Sequence, residues 1–579
     1  MRRPHFALAF FALSCLAACH AVDFGKGEEA GIRPFEPRRL LITGETIRIG
    51  APDWTIVRAL LVEDGRVVAV GDEATARAQE PLEHLDLGKA VALPGLIDAH
   101  GHLEGLGRAL EEIDLRGVES YPALIARVAA RAAEVPPGTW IQGRGWDQNL
   151  WPERAFPHHR ELSSAVPAHP VLLERVDGHA ILVNARALEL AKLASPQPGE
   201  TPVAGGRMLL DARHEPTGVF VDNATELVER WVPPPDMETR RRRMLRGAGE
   251  LAQNGVTGLH DMGEDLAAVR ILAILAMEGD LPIEVAGYLS QSALESLGSG
   301  QPLPAQLELE YRQVGAKLYM DGALGSRGAA LFADYSDEPG QRGLALLEPE
   351  RLDALLASCD ERGLQPAVHA IGDLANRRVL DAYERRRARS ESFANLRPRI
   401  EHAQVVAPED WARFAALGVV PSMQPTHATS DMPWAPARLG PERVAGAYAW
   451  RRLDPDGHAL AFGSDCPVEL CDPLAGIYAA ITCADRKGEP RDGYRPDQRL
   501  DAKRALAAFT LNAARAARQE ADFGTLAPGH FANLTVLDVD PLTAEPRALL
   551  GGGHVRMTIV RGEVVYRAIL PPMAGSTPR

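Results

Sequence analysis

Short apolar runs gather at both ends of the chain. Near the start they are Leu40-Leu41-Ile42, Ala59-Leu60-Leu61-Val62 and Val67-Val68-Ala69-Val70, with Asp64-Gly65 as a turn signal between the last two. Near the end they are Leu534-Thr535-Val536-Leu537, Met557-Thr558-Ile559-Val560 and Val564-Val565-Tyr566, with Arg561-Gly562-Glu563 as the turn. Two β-rich ends around a long middle predict one small β-sandwich assembled from residues 38–93 and 523–567. In the middle, runs such as Gly255 to His260, Ala316 to Met320 and Gln365 to His369 alternate with longer amphipathic stretches such as Pro349 to Arg362. That alternation predicts a parallel α/β barrel of the (β/α)₈ type over 94–522. A stretch of about 135–232, rich in Pro, Gly and Trp, breaks the alternation and reads as an insertion after the first barrel strand. Residues 568–579 are expected to be a disordered tail.

The first residues carry a different pattern. Arg2 and Arg3 precede an apolar run from Phe6 to Leu16, followed by Leu16-Ala17-Ala18-Cys19. The order basic, apolar, small is that of a secretory signal peptide, and the run is too short for a permanent membrane span. Leu-Ala-Ala-Cys resembles the bacterial lipobox. It predicts removal of residues 1–18, lipidation of Cys19 and a flexible tether over 19–37. The expected location is the periplasmic side of a bacterial membrane, touched only through the lipid anchor. An ordinary cleaved signal peptide is the competing reading. Removing Arg2 and Arg3 takes the formal charge from −15 to −17, which argues against attraction to nucleic acid or anionic lipid. Six cysteines over 579 residues do not make a disulfide scaffold.

Candidate chemistry begins at Leu93-Pro94-Gly95-Leu96-Ile97-Asp98-Ala99-His100-Gly101-His102. Alternation along a strand puts both imidazoles on one face, so a strand's C-terminal end can present them to a single ion. His369, His402 and Asp465 end three other strand-like runs, and in a parallel barrel such ends converge. Together they supply ligands for one or two divalent ions, zinc first, with manganese, iron and nickel as alternatives. Lys317 sits inside the apolar run Ala316-Lys317-Leu318-Tyr319, and a buried unpaired ammonium is costly. The residues alone favour a solvated head or an ion pair with Asp321. Carbamylation by CO₂, which makes the amine a carboxylate able to bridge two ions, is the alternative. Asp465 is the candidate general base. His179, in Asp177-Gly178-His179, is a candidate donor to a substrate carbonyl. Trp146, Asp147 and Trp151 are candidate pocket walls, with ordinary packing the competing reading for the tryptophans. Asp321 and Arg327 are candidates for orienting the lysine or the substrate. Gln424, Thr426 and His427 are placed on a rim loop, and His260 and Asp261 behind the ligands.

These residues together resemble the amidohydrolase superfamily, and more narrowly its family 3 branch. The resemblance runs from about Leu40 to Tyr566. It rests on Pro94 to His102, Gly145 to Trp151, Asp177-Gly178-His179, Pro216-Thr217-Gly218, His260-Asp261 and Lys317 to Gly322, then on His369 to Asp373, Arg399 to His402, Met423 to His427, Gly463-Ser464-Asp465 and Gly524 to Gly529. It implies a barrel with a composite β-sandwich. His100, His102 and Asp465 would then serve one metal, and His369 and His402 the second. Lys317 would be the carbamylated bridge. His530 and Asn533 depart from the family's usual Lys and Asp, away from the chemistry. The implied activity is hydrolysis of amide, N-acyl or N-formyl carbon–nitrogen bonds in small molecules by a metal-activated water. A single-metal deaminase or cyclic amidohydrolase, and a non-catalytic envelope binding protein, are the alternatives. Oligomeric state stays open, a homodimer included.

Overall fold

The computed structural model describes residues 38–78, 82–176, 178, 180–193, 206–297 and 310–569. Cys19, with the expected leader and tether, lies outside the described residues, as do Asp177 and His179 and almost all of the expected tail.

Eight parallel strands form the barrel: Leu96–Gly101, Val256–Glu264, Glu284–Leu289, Tyr311–Tyr319, Gln365–Ala370, Arg399–His402, Val420–Met423 and Ala461–Phe462. Each pairs with the next in parallel register. A bridge between Gly101 and Cys466 brings the first strand beside the last. The strands read as near-continuous apolar runs because helices cover them. Helix Leu266–Glu278 shows how local sequence sets an element's length. Asp265 accepts the N–H of Ala268 as N-cap, and Gly279 ends the helix at a φ of 72°.

The chain's two ends share one sheet, in the order Glu563–Arg567, Val555–Val560, Leu534–Leu537, Val91–Pro94, Arg39–Arg48, Ile56–Glu63 and Arg66–Val70. Its core contains Ile42, Leu60, Val536 and Ile559. The same sheet steadies the first barrel strand. Thr535 accepts the N–H of Leu96 at 3.0 Å and donates to the carbonyl of Gly255 at 2.6 Å.

Between the first and second barrel strands lies a separate six-stranded sheet, from Ile113–Asp114 to Pro216–Asp222. It begins at Ile113 rather than near residue 135, because Ile113 and helix Tyr121–Ala132 pack into its core. Leu172 and Leu173 feed opposite cores, as alternation along a strand requires. Trp146 and Trp151 belong to this core and are 0% and 3% exposed. Their indole N–H groups donate to the carbonyls of Leu173 and Val118, so packing, and not a pocket wall, is their role. Trp146→Ala is expected to cost about 3–5 kcal/mol in denaturant unfolding while the barrel's metal content stays unchanged.

Candidate metal centre

At the C-terminal mouth of the barrel, His100, His102, Lys317, His369, His402, His427 and Asp465 line a cavity of about 360 Å³. His100, His402 and Asp465 each offer a ligand atom within 4.8 Å of the others. His102 Nε2 lies 3.1 Å from Asp465 Oδ1, and the rings of His369 and His402 are 4.6 Å apart. Lys317 Nζ is 3.0 Å from His100 Nε2.

The ends of the strands hold these side chains in place by unusual backbone. Gly463 approaches so closely that a Cβ there would meet the His100 nitrogen at 2.4 Å, so only glycine lets the last strand bring Asp465 beside His100. Asp98 ties the two together. Its carboxylate accepts from the Ser464 hydroxyl and from the N–H groups of His100 and Ser464, and burial pushes it up to about 6. His402 and Asp465 adopt left-handed φ values of 72° and 58°. Non-glycine residues rarely accept this conformation, and it clusters at functional sites.

A second tier holds the ligands' tautomers. The Nδ1–H of His100 donates to Glu401 at 2.6 Å, that of His102 to the Met262 carbonyl at 2.8 Å, and that of His402 to Gln424 at 2.8 Å. In His100 and His402 this leaves Nε2 as the lone pair that a metal needs, while His102 turns its Nε2 to the Asp465 carboxylate. Arg399 is fully buried in the barrel interior. It donates twice to Glu401 and once each to His260, Tyr288, Ser422 and the Ala99 carbonyl. Burial alone would raise Glu401, but Arg399 and His100 hold it well below the usual carboxylate range. Glu401→Gln is expected to weaken metal affinity by roughly 10–100-fold, read by competition with a chelator.

The donor set fits divalent metal. Burial, then the Lys317 charge, pulls His100 down to about 4 and His369 to about 3, and burial with neighbouring imidazoles holds His402 well below its ordinary value. Neutral imidazole is the ligating form. Nε2 of His369 and of His427 are buried with no hydrogen-bond partner, an arrangement a nearby cation would relieve. Burial lowers Lys317 to about 8, and it makes no ion pair with a carboxylate among the described residues.

Several expected site residues sit elsewhere. Asp321 does not pair with Lys317. It accepts the backbone N–H groups of Ala330, Ile371 and Gly372 and so anchors the loops beside His369. Arg327 pairs with Asp337. Gln424 stands behind His402 rather than against substrate, at the start of helix Pro425–Asp431. Asp147 pairs with Arg175 at 2.8 Å and does not line the cavity. The aromatic walls are Tyr319 and Trp434, which carry no local sequence signal. Arg399 and Glu401 did leave one: opposite charges two residues apart in an apolar strand, hence on one face.

A parallel barrel with imidazoles, a carboxylate and a buried lysine at its C-terminal mouth places the chain among barrel proteins built around a metal centre. The comparisons give the family. The amidohydrolase family's profile matches residues 83–566. The chain is 31% identical to the putative amidohydrolase YtcJ of Bacillus subtilis, over 88% of this chain and 96% of that protein. It is 25% identical to the N-substituted formamide deformylase of Arthrobacter pascens, over 91% and 98%. A crystal structure of a metal-dependent hydrolase from Pyrococcus horikoshii aligns with a TM-score of 0.75 at 31% identity, covering 89% of this chain and 99% of that one. The chain belongs to the amidohydrolase family.

Proposed function

We propose that this protein hydrolyses carbon–nitrogen bonds other than peptide bonds, in small amide, N-acyl or N-formyl substrates. The observation that carries this reading is the convergence of five imidazoles, Asp465 and the buried Lys317 in one cavity. The deformylase relative supports the bond type. His100, His102 and Asp465 would hold one divalent ion and His369 and His402 another, with Lys317 as a carbamate between them. Zinc suits such imidazole and carboxylate donors. Ions bound there would polarise a carbonyl and lower the pKa of a water toward ~7.

The chain's own groups do the rest. Burial works against the Asp465 carboxylate, yet the His102 hydrogen bond and the neighbouring imidazoles hold it well below the usual range, so it is ionised, the form that can accept a proton. Asp465 accepts the attacking water's proton and delivers it to the leaving nitrogen. His427, with Nε2 3.7 Å from Asp465 Oδ2, is placed to steady the substrate's carbonyl oxygen. Tyr319 and Trp434 wall the cavity.

Elemental mass spectrometry on the mature chain, with His100→Ala/His102→Ala beside it, tests the centre. Near two equivalents of metal, falling in the variant, support the reading and justify a screen of N-formyl and N-acyl amides. One equivalent favours the single-metal deaminase, and none after reconstitution removes the hydrolase reading. Anchoring through Cys19 is a separate proposal. Palmitate label should enter the wild type in a bacterial host and not Cys19→Ser; equal labelling would end the idea.

A further inference from the structure

We propose that a second cavity, opening beside the metal centre, receives the apolar acyl group of the substrate. This inference rests on the amide reading above and narrows it to N-acyl compounds with a hydrocarbon tail.

The second cavity, of about 120 Å³, shares Arg144, Val176, Val468 and Glu469 with the metal-centre cavity. The two therefore adjoin, with those four side chains at their boundary. Its other walls include Leu106, Leu110, Ile113, Pro467 and Leu470. Chain connectivity makes the placement unavoidable. Helix Leu103–Ala109 starts directly after His102, and the 467–470 loop starts two residues after Asp465. The segments that carry two ligands thus also carry the apolar walls, and a group leaving the metal centre on that side meets hydrocarbon.

The charged residues of the second cavity are engaged with partners of their own. Asp114 pairs with Arg116 at 2.8 Å, Arg144 lies 3.5 Å from Glu174, Glu469 accepts from the Ser430 hydroxyl and Glu250 from the Asn254 side-chain amide. What remains open to a ligand is largely apolar. Val176, Val468 and Leu470 are 44%, 52% and 48% exposed, grouped at the junction and along the cavity. Large apolar side chains grouped in a concave surface mark a binding site. A hydrocarbon group there would remove them from water, at a gain of about 0.8 kcal/mol for each methylene buried, or roughly fourfold in affinity.

Alkyl hydroxamates test the assignment on the zinc-loaded protein, because their head groups chelate metal and their tails vary. Calorimetric Kd values are expected to fall about fourfold per methylene beyond acetohydroxamate. Ala109→Trp on the helix and Leu470→Trp on the 467–470 loop, both lining the second cavity, should flatten that dependence and leave the acetohydroxamate Kd unchanged. Leu470 is half exposed, so its replacement spares the core, and thermal unfolding checks both variants. A series without chain-length dependence in the wild type, or a slope that persists in both variants, overturns the assignment. Turnover of N-acyl amides of the same tails is measured in parallel and should follow the same order, lost in the variants mainly through KM. If no amide is cleaved while the hydroxamate slope and its loss are intact, the amide reading fails and the apolar cavity stands.

Discussion

Asp465→Asn should keep its metal and lose most of its turnover, by roughly 10²–10⁴-fold, the range for a positioned general base. Asparagine preserves the shape and one oxygen, so it can still face His102 and an ion, but it cannot accept the water's proton. The setting makes this a clean test. Asp465 N–H is held by the His100 carbonyl at 2.7 Å, and the left-handed backbone is one that asparagine tolerates better than most residues. Elemental analysis and kcat measured on the same preparation separate the two roles. A variant with wild-type turnover would show that Asp465 only ligates. One with neither metal nor turnover would show that its charge is needed to hold the ion.

Removal of Lys317 should be almost as severe. On the proposed reading Lys317 as a carbamate would bridge the two ions, and its removal would take that bridge away. Lys317→Ala is therefore expected to fall from two ions to one, and to lose roughly 10²-fold or more in activity, at least the cost of disturbing a ligand's support. The chemistry balances without a further reagent: the amine's lone pair attacks the carbon of CO₂, one N–H proton leaves to solvent, and a carbamate remains. It needs the neutral amine, which burial at this position favours. Short carboxylic acids such as propionate should restore part of the activity by occupying the vacated space, and native mass spectrometry of the wild type should find one added CO₂. Unchanged metal content in Lys317→Ala would leave the lysine an ordinary buried amine.

The architecture was legible because its cause is local. Apolar runs of strand length between amphipathic helices require a parallel sheet covered on both faces, and eight such runs close on themselves. His100 and His102 could be paired from spacing alone, since a two-residue separation on a strand means a common face. His402 could not. Alternation sends it to the face opposite Arg399 and Glu401, and only its left-handed backbone, at a φ of 72°, turns its ring toward His369. The inserted sheet hid the pocket in a similar way. Gly145 to Trp151 holds aromatic residues, yet Trp146 and Trp151 finish a separate core, and the cavity takes its tryptophan from position 434.

By itself, the sequence determined the barrel and the residue types that can hold metal, because periodicity and donor chemistry are properties of short segments. Tertiary structure alone decided which carboxylates face the chemistry and which brace the scaffold. Asp321 and Asp465 look alike along the chain. Three backbone N–H groups claim the first, while the second is brought to the histidines by the close approach of Gly463 to His100. What separates them is distance between strands far apart in sequence, which no local pattern encodes.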